Sequence, residues 1–335
     1  MEKVYLICGK ICSGKTFFAG HLAEQLQAVT LSVDHIMLTA GLDCIEDAHE
    51  VLVPRIEQFL HQIALALAHC DIPSITDFGY WTAQERVQVR EFFRTRQTPM
   101  QWIYMNCDEQ TWERNIRLRN RAVVSGTEQA YYVDAGLRSK IEEQFQPPVL
   151  SEMNIVVTDP AQISLLPRRQ DARKPGDVFL LCGKIASGKS HYAKTLLKDG
   201  RTVLLSQDDF VEQLGLDYFD DFHSSLIPKL QYCLYELATE ISRCGANVVL
   251  DFGFWSKRER QYVSEVFRNM CITPYWCYMD ISDSVWVQNI ADRNREVIAE
   301  GHPEFQIDAA KMQEINAEFE VPTRDEMDIW VTNTR

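Results

Sequence analysis

Residues 9–16, Gly-Lys-Ile-Cys-Ser-Gly-Lys-Thr, return 174 residues later as Gly183-Lys184-Ile185-Ala186-Ser187-Gly188-Lys189-Ser190. That repetition constrains the chain more than any other feature, because the same offset governs most of what surrounds it. It carries Asp34 to Asp208, Pro54 to Pro228, Asp77-Phe78-Gly79 to Asp251-Phe252-Gly253, Trp81 to Trp255 and Glu85-Arg86 to Glu259-Arg260. Further on it carries Trp112 to Trp286, Asn115-Ile116 to Asn289-Ile290, Arg119-Asn120-Arg121 to Arg293-Asn294-Arg295, Phe145 to Phe319 and Met153 to Met327. The period is far too long for a solenoid, whose repeats cannot close a core alone, so each copy is expected to be a complete domain. The expected boundaries are residues 1–160 for the first domain, 161–176 for the linker and 177–335 for the second domain. Between Asp159 and Gly176 stand three prolines together with Arg168, Arg169, Arg173 and Lys174, a composition suited to a connection rather than a core.

Within each copy, short β-type runs alternate with helical patterns. Val4–Cys8, Ala28–Ser32, Ile72–Thr76, Gln101–Asn106 and Asn154–Val157 read as five strands in the first copy. Val178–Cys182, Thr202–Ser206, Asn247–Leu250, Tyr275–Met279 and Asp328–Val331 are their counterparts. Strands separated by helices predict a parallel, doubly wound α/β sheet, with ligands beyond the carboxyl ends of the strands.

Each first strand leads into GxxxxGK[ST] and then a helix, the context that a phosphate-binding loop requires. Backbone N–H groups around Gly9, Ser13, Gly14, Lys15 and Thr16, and around Gly183, Ser187, Gly188, Lys189 and Ser190, would cradle phosphates at a positive helix end. Lys15 and Lys189 would reach the β- and γ-phosphates, and Thr16 and Ser190 would hold Mg²⁺. Asp34 and Asp208 follow the second strand, where a carboxylate can take a hydroxyl proton during phosphoryl transfer or cap the next helix. Asp77 and Asp251 close apolar third strands. They read either as Mg²⁺ ligands acting through water or as turn residues before Gly79 and Gly253.

The flanking residues have competing readings as well. Thr82-x-x-Glu85 and Ser256-x-x-Glu259 are capping boxes, so both glutamates are assigned to structure. Trp81 and Trp255 fit an apolar wall for a substrate or a hydrophobic staple equally well. Arg86 and Arg260 fall in a first helical turn, where a cation opposes the helix dipole, and this hints at binding. Arg119 with Arg121, and Arg293 with Arg295, close the helix after the fourth strand, before stretches containing Gly126 and Gly301. They suit either a lid that neutralises a transferred phosphoryl group or simple stabilisation of a helix C-terminus. Arg114 and Arg117 become Gln288 and Ala291, so they serve no role common to both copies.

Charge narrows the partners. The chain carries −14 formally, with −7 over residues 1–160 and −10 over 177–335, which would repel a phosphate polymer. A long nucleic acid is therefore not an expected partner. Apolar runs such as Ile63–Ala68 are far below the ~20 residues of a membrane helix, and no signal-peptide pattern opens the chain, so a cytoplasmic location without membrane contact is expected. Ten cysteines scattered through apolar runs, with no CxxC pair, read as buried reduced thiols rather than a disulfide framework or zinc site.

GKICSGKT, LSVD, DFGYWTAQER and RNR, matched by GKIASGKS, LSQD, DFGFWSKRER and RNR, make each copy resemble a known group. This is the group of small P-loop ATP-binding proteins that includes zeta toxins, chloramphenicol phosphotransferase and the 5′-kinase domain of polynucleotide kinase. The resemblance implies two tandem nucleoside-monophosphate-kinase-like domains, each a five-stranded parallel sheet flanked by helices, using ATP and Mg²⁺. It also implies that Asp34 and Asp208 are the bases activating the acceptor hydroxyl, and that Arg119 and Arg293 are the nearest matches to phosphate-contacting lid arginines. The expected activity is ATP-dependent phosphorylation of a hydroxyl on a small molecule, at two sites per chain packed as an internal pseudo-dimer, in a monomer or homodimer. The copies differ near the presumed acceptor pocket, where His35-Ile36 faces Asp209-Phe210 and Arg114 faces Gln288, so their acceptors are expected to differ. The rival readings are a polynucleotide 5′-kinase and a non-catalytic ATP-dependent switch or scaffold.

Overall fold

Val4–Cys8 is apolar at nearly every position, the pattern of a strand covered on both faces, and all five residues are buried. In the computed structural model, which describes residues 4–42, 48–159, 163, 168–169, 172–215, 223–299 and 306–333, this strand is β1. The chain then runs through α1 (Lys15–Leu26), β2 (Val29–Leu31), α2 (Val33–Ala40), α3 (Ala48–His69), β3 (Ser74–Gly79), α4 (Ala83–Thr95), β4 (Met100–Met105), α5 (Glu109–Val124), α6 (Ala135–Gln144) and β5 (Ile155–Val157). These strands form one parallel sheet in the order β2-β3-β1-β4-β5.

The second copy repeats this plan. It comprises β6 (Val178–Cys182), α7 (Lys189–Leu196), β7 (Thr202–Ser206), α8 (Gln207–Leu214), α9 (His223–Arg243), β8 (Asn247–Gly253), α10 (Lys257–Asn269), β9 (Tyr275–Ile281), α11 (Asp283–Ala299), α12 (Ala309–Glu318) and β10 (Ile329–Asn333). Its sheet order, β7-β8-β6-β9-β10, is the first order position for position. The chain divides into two compact units, Met1–Lys174 with Glu212–Cys233, and Pro175–Val211 with Leu234–Arg335. Among the described residues no helix is long and apolar enough to cross a membrane.

In each sheet the central strand lies between the third and fourth, so the connections diverge at its carboxyl end and open a crevice there. One apolar face of α1 closes the layer beneath that crevice. Phe18, Ala19, Leu22 and Leu26 lie at helical spacing and pack on Tyr5, Ile7, Ile75, Ile103, Met105 and Val157. Truncating Phe18, which is fully buried, would cost about 3–5 kcal/mol by leaving a cavity under the loop. In the second unit Ala193 of α7 meets Leu181, Val249, Cys277 and Met279 in the same way.

The third strands extend further than their apolar runs predict. β3 and β8 continue through Asp-Phe-Gly, with a register shift against β1 and β6, so Asp77 and Asp251 are strand residues, not turn residues. Beyond them the backbone turns left-handed twice in succession, at Gly79 (φ 102°) and Tyr80 (φ 49°), and again at Gly253 (φ 92°) and Phe254 (φ 49°). A Cβ on Gly79 would also stand 2.8 Å from Trp81 Nε1, so glycine is required there.

Arg86 and Arg260 hold these strained turns. Arg86 is 2% exposed and donates to the Tyr80 and Trp81 carbonyls at 3.1 and 3.3 Å. Arg260 donates to Phe254 O at 3.3 Å, Trp255 O at 3.3 Å and Glu320 O at 3.1 Å. Glu152 and Glu326 lie against the two guanidiniums at 3.8 and 3.5 Å. The hint of a binding role drawn from their first-turn position is thus corrected: both arginines are buried and bound to backbone carbonyls. The helix dipole penalty is outweighed because a guanidinium can satisfy several buried carbonyls at once.

Candidate active site

The loop between β1 and α1 is shaped by close approach. A Cβ on Gly9 would lie 2.7 Å from Ser13 Oγ and 3.0 Å from Met105 O, so only glycine fits, and its N–H donates to Gly79 O at 2.9 Å. Gly14 (φ 93°) stands at the N-cap of α1 without a side-chain cap bond, which leaves the first helical amides available to an anion. Cys12 is held left-handed at φ 61°. Two side chains of α5 fix that conformation: Trp112 Nε1 donates to Ile11 O at 2.7 Å, and Asn115 Nδ2 donates to Cys12 O at 3.0 Å. The second loop has the same braces, Trp286 to Ile185 O and Asn289 to Ala186 O, both at 2.9 Å, with Ala186 at φ 58°. Trp112 and Asn115 were not assigned a role from sequence, although their retention at the 174-residue offset was a usable signal.

Inside the loop the charged groups converge. Lys15 Nζ donates to Gly9 O at 3.1 Å and Lys10 O at 2.8 Å, and Lys189 Nζ donates to Gly183 O at 3.1 Å and Lys184 O at 3.0 Å. Burial lowers the Lys189 pKa, against the opposing pull of Asp251 and Asp208. Thr16 Oγ1 donates to Asp77 Oδ2 at 2.6 Å, and Ser190 Oγ donates to Asp251 Oδ2 at 2.8 Å. Asp77 is 6% exposed, and its Oδ1 is buried without a hydrogen-bond partner among the described residues. A buried, unpaired carboxylate oxygen beside a hydroxyl is a fitting place for a hard cation bound mostly through phosphate and water. Among the described residues no group of three or more His, Cys, Asp or Glu could hold a metal on its own.

Asp34 lies in the first turn of α2, and the cap of that helix is Ser32, whose side chain accepts from His35 N at 3.3 Å. Ser206 serves Asp209 N in the same way at 3.2 Å. The capping alternative for the aspartates therefore falls to the neighbouring serines. Burial raises the Asp34 pKa and Asp77 adds to the rise, while Lys15, Arg119 and His49 oppose it. The Asp208 side chain reaches solvent at its surface, yet the protein around it displaces enough water to raise its pKa too. Asp251 and Asp209 reinforce that shift, and Lys189 and Arg293 oppose it. Both aspartates thus share a field with a loop lysine, a third-strand carboxylate and a helical arginine.

Arg119 is half-buried on α5. Its Nη1 donates to Cys12 Sγ at 3.6 Å, and its Nε is buried without a hydrogen-bond partner among the described residues. Arg121 is exposed, as is Arg295, which pairs with Asp292. Arg293 is half-buried like Arg119, but α11 continues to Ala299, so these arginines do not close their helix in the second unit. Gly301 lies outside the described residues. Asn120 braces the segment after α5 by exchanging hydrogen bonds with Val133 N and O, both at 2.8 Å, and Asn294 does so with Ile307 at 2.9 and 2.8 Å. Trp81 packs with Ile11 and Cys12 of the loop against Trp112, Ile116 and Ile141, and Trp255 has the corresponding place beside Trp286.

A family model described as an AAA domain matches residues 4–148 and, separately, residues 178–322. No curated protein matches the chain. Among solved structures, similarity extends to the APS kinase CysC of Mycobacterium tuberculosis, solved in complex with AMPPNP and APS. The identity is 18% over 49% of this chain and 94% of that one, with a TM-score of 0.36. A gluconokinase from Sinorhizobium meliloti 1021 is 18% identical over 48% of this chain and 82% of its own, with a TM-score of 0.32. The PezAT toxin–antitoxin system of Streptococcus pneumoniae is 18% identical over 50% of this chain and 75% of its own, also with a TM-score of 0.32.

Proposed function

Because the chain belongs to the AAA domain family AAA_33 twice over, once in each half, we propose that both halves are P-loop kinases. Each transfers the γ-phosphoryl group of ATP to a hydroxyl of a small molecule, giving two sites per chain, in domains 1–160 and 177–335 joined by 161–176. The observation that carries this reading is the Thr16–Asp77 pair at 2.6 Å beside Lys15, with Asp34 in the same field, and its repetition as Ser190–Asp251 at 2.8 Å beside Lys189 and Asp208.

In this mechanism the amides of Gly9 to Thr16, and of Gly183 to Ser190, hold the nucleotide phosphates, and Lys15 and Lys189 leave their loop carbonyls to follow the β- and γ-phosphates. Thr16 with Asp77, and Ser190 with Asp251, would hold Mg²⁺, which would supply positive charge against the β- and γ-phosphate oxygens. Asp34 or Asp208 takes the proton of the acceptor hydroxyl as that oxygen bonds to the γ-phosphorus and the bond to the bridging oxygen of ADP breaks. The raised pKa of these aspartates suits them to the task, because a carboxylate that holds a proton more tightly is a stronger base. Arg119 and Arg293 neutralise the transferred group.

The acidity of both halves supports a small acceptor over a long nucleic acid. In a stoichiometric titration Lys15→Ala and Lys189→Ala should each remove about one of two nucleotide equivalents, and γ-labelled ATP with a metabolite extract should yield a labelled compound. Tight ATP binding with no compound labelled would favour the switch or scaffold reading instead.

A further inference from the structure

The helix that carries Asp34 is short. α2 has eight residues, Asp34 in its first turn, no cation of its own in its last turn and the left-handed Gly41 (φ 70°) as its C-cap. A helix of that length is not stable by itself, so its setting comes from what holds its two ends. Ser32 caps the first end. At the second end Gln129 Nε2 donates to Leu38 O at 3.0 Å, and Lys229 Nζ donates to Ala40 O at 3.3 Å. The ammonium stands directly on the cap, since a Cβ on Gly41 would lie 3.1 Å from it. Lys229 comes from the second copy of the sequence, yet residues 212–233 lie in the first compact unit. The same contact recurs in that unit with the copies exchanged. The offset of 174 residues carries Ala40 to Leu214 and Arg55 to Lys229, and Arg55 Nη1 donates to Leu214 O. α8 also lacks a cation in its last turn, and the left-handed Gly215 (φ 63°) beyond it lies against the Arg55 guanidinium. Reciprocal contacts of this kind mark an isologous pairing, so the cation on the helix end belongs to the design of this corner and not to one chance side chain.

We propose that Lys229 is a positioning residue of the first site: by holding the C-terminal end of α2 it sets the orientation of Asp34, so turnover there depends on a residue supplied by the second copy of the sequence. The proposal rests on the kinase reading of that site. An ammonium at a helix C-terminus satisfies a carbonyl that the helix leaves over and meets the negative end of its dipole. Asp34 and Ala40 are six residues apart, about 9 Å along the helix axis. A helix released at Ala40 can therefore pivot about its Ser32 end and carry the carboxylate with it. Misplacing a reacting group by about 1 Å is enough to slow its step strongly. The phosphate loop does not share this dependence, because Gly9 is tied to Gly79, and Thr16 to Asp77, without any contribution from α2.

The test uses the full chain with the second site silenced by Lys189→Ala. This chain is incubated with γ-labelled ATP and a metabolite extract, and the compound it labels then serves as substrate. Lys229→Met, which keeps the aliphatic stem and removes the ammonium, should lower kcat for that compound about fivefold or more with ATP affinity unchanged. Lys229→Arg should keep the original kcat, since Arg55 makes the equivalent bond to Leu214 O. In an Asp34→Asn background Lys229→Met should add little, because an effect exerted through Asp34 disappears with its carboxylate. The proposal is overturned, with the kinase reading intact, by an unchanged kcat in Lys229→Met or an equal loss in Lys229→Arg. Independent multiplication of the Lys229→Met and Asp34→Asn effects, or a loss explained by weaker ATP binding, overturns it in the same way. Absence of any labelled compound overturns the kinase reading and this proposal with it.

Discussion

His61 should make the first unit sensitive to acid in a way the second is not. The side chain is 7% exposed and its ring is packed among Phe78, Tyr80, Phe92 and Phe93. Its Nε2 lies 3.1 Å from Tyr80 OH, which is 2.7 Å from Thr76 Oγ1. Burial pushes its pKa from 6.5 down to about 4, because the charged imidazolium would have to exist without water. The folded state therefore resists protonation, whereas the unfolded chain takes up the proton near 6.5. The contribution is fully present above that value and is lost as pH falls toward 4, and it stays lost below.

The span from 6.5 to about 4 corresponds to about 3 kcal/mol, a large part of the stability of an ordinary domain. Half-buried carboxyls such as Asp34 and Glu57, whose pKa values are raised, act in the opposite sense, so the total pH curve mixes signs. Comparison with His61→Phe isolates the histidine, since phenylalanine keeps the ring volume and Tyr80 keeps Thr76 as partner. Hydrogen exchange read by mass spectrometry along a urea series, at pH 7, 5.5 and 4, would report α3 and β3 separately from α9 and β8. The second unit has Tyr235 and Phe254 at the equivalent positions and serves as the internal control. Wild-type α3 and β3 should lose about 3 kcal/mol more than the variant between pH 7 and 4. Parallel pH curves for the two proteins would refute the argument.

The two aspartates of the first site should separate kinetically. Asp34→Asn is expected to spare ATP affinity and lower turnover about 10²–10⁴-fold, while Asp77→Asn raises the Mg²⁺ concentration needed for half-maximal activity; equal effects on nucleotide affinity would sink the assignment. Arg86→Met should lower stability by about 3 kcal/mol, through the carbonyls of Tyr80 and Trp81 left unpaired at a left-handed turn, with loss of a thermal transition as the readout. A variant as stable as wild type but weaker in acceptor binding would restore the functional reading of that arginine.

What could be read from sequence was whatever a short, contiguous segment decides. The phosphate loop is eight residues in a row whose shape follows from Gly9, where no Cβ fits, and Gly14, where φ is 93°. The strand count and the parallel α/β class follow from apolar runs alternating with helical patterns, and the offset of 174 residues reports the duplication without any geometry.

Tertiary structure decided the matters that depend on which distant groups meet. Arg86 carries a charge and sits in a first turn, so locally it looks like a binding residue; only the folded chain shows it buried on carbonyls, with Glu152 brought to it from beyond β4. Whether Asp34 caps its helix depended on the competing hydroxyl of Ser32 being in reach of the His35 amide. Trp112 and Ile11 are 101 residues apart and bond at 2.7 Å, and Glu57 acquires its acidic surroundings from α2 and α4 rather than from its own helix. Local sterics are written residue by residue, whereas burial, hydrogen-bond partners and electrostatic field belong to the packed assembly of elements.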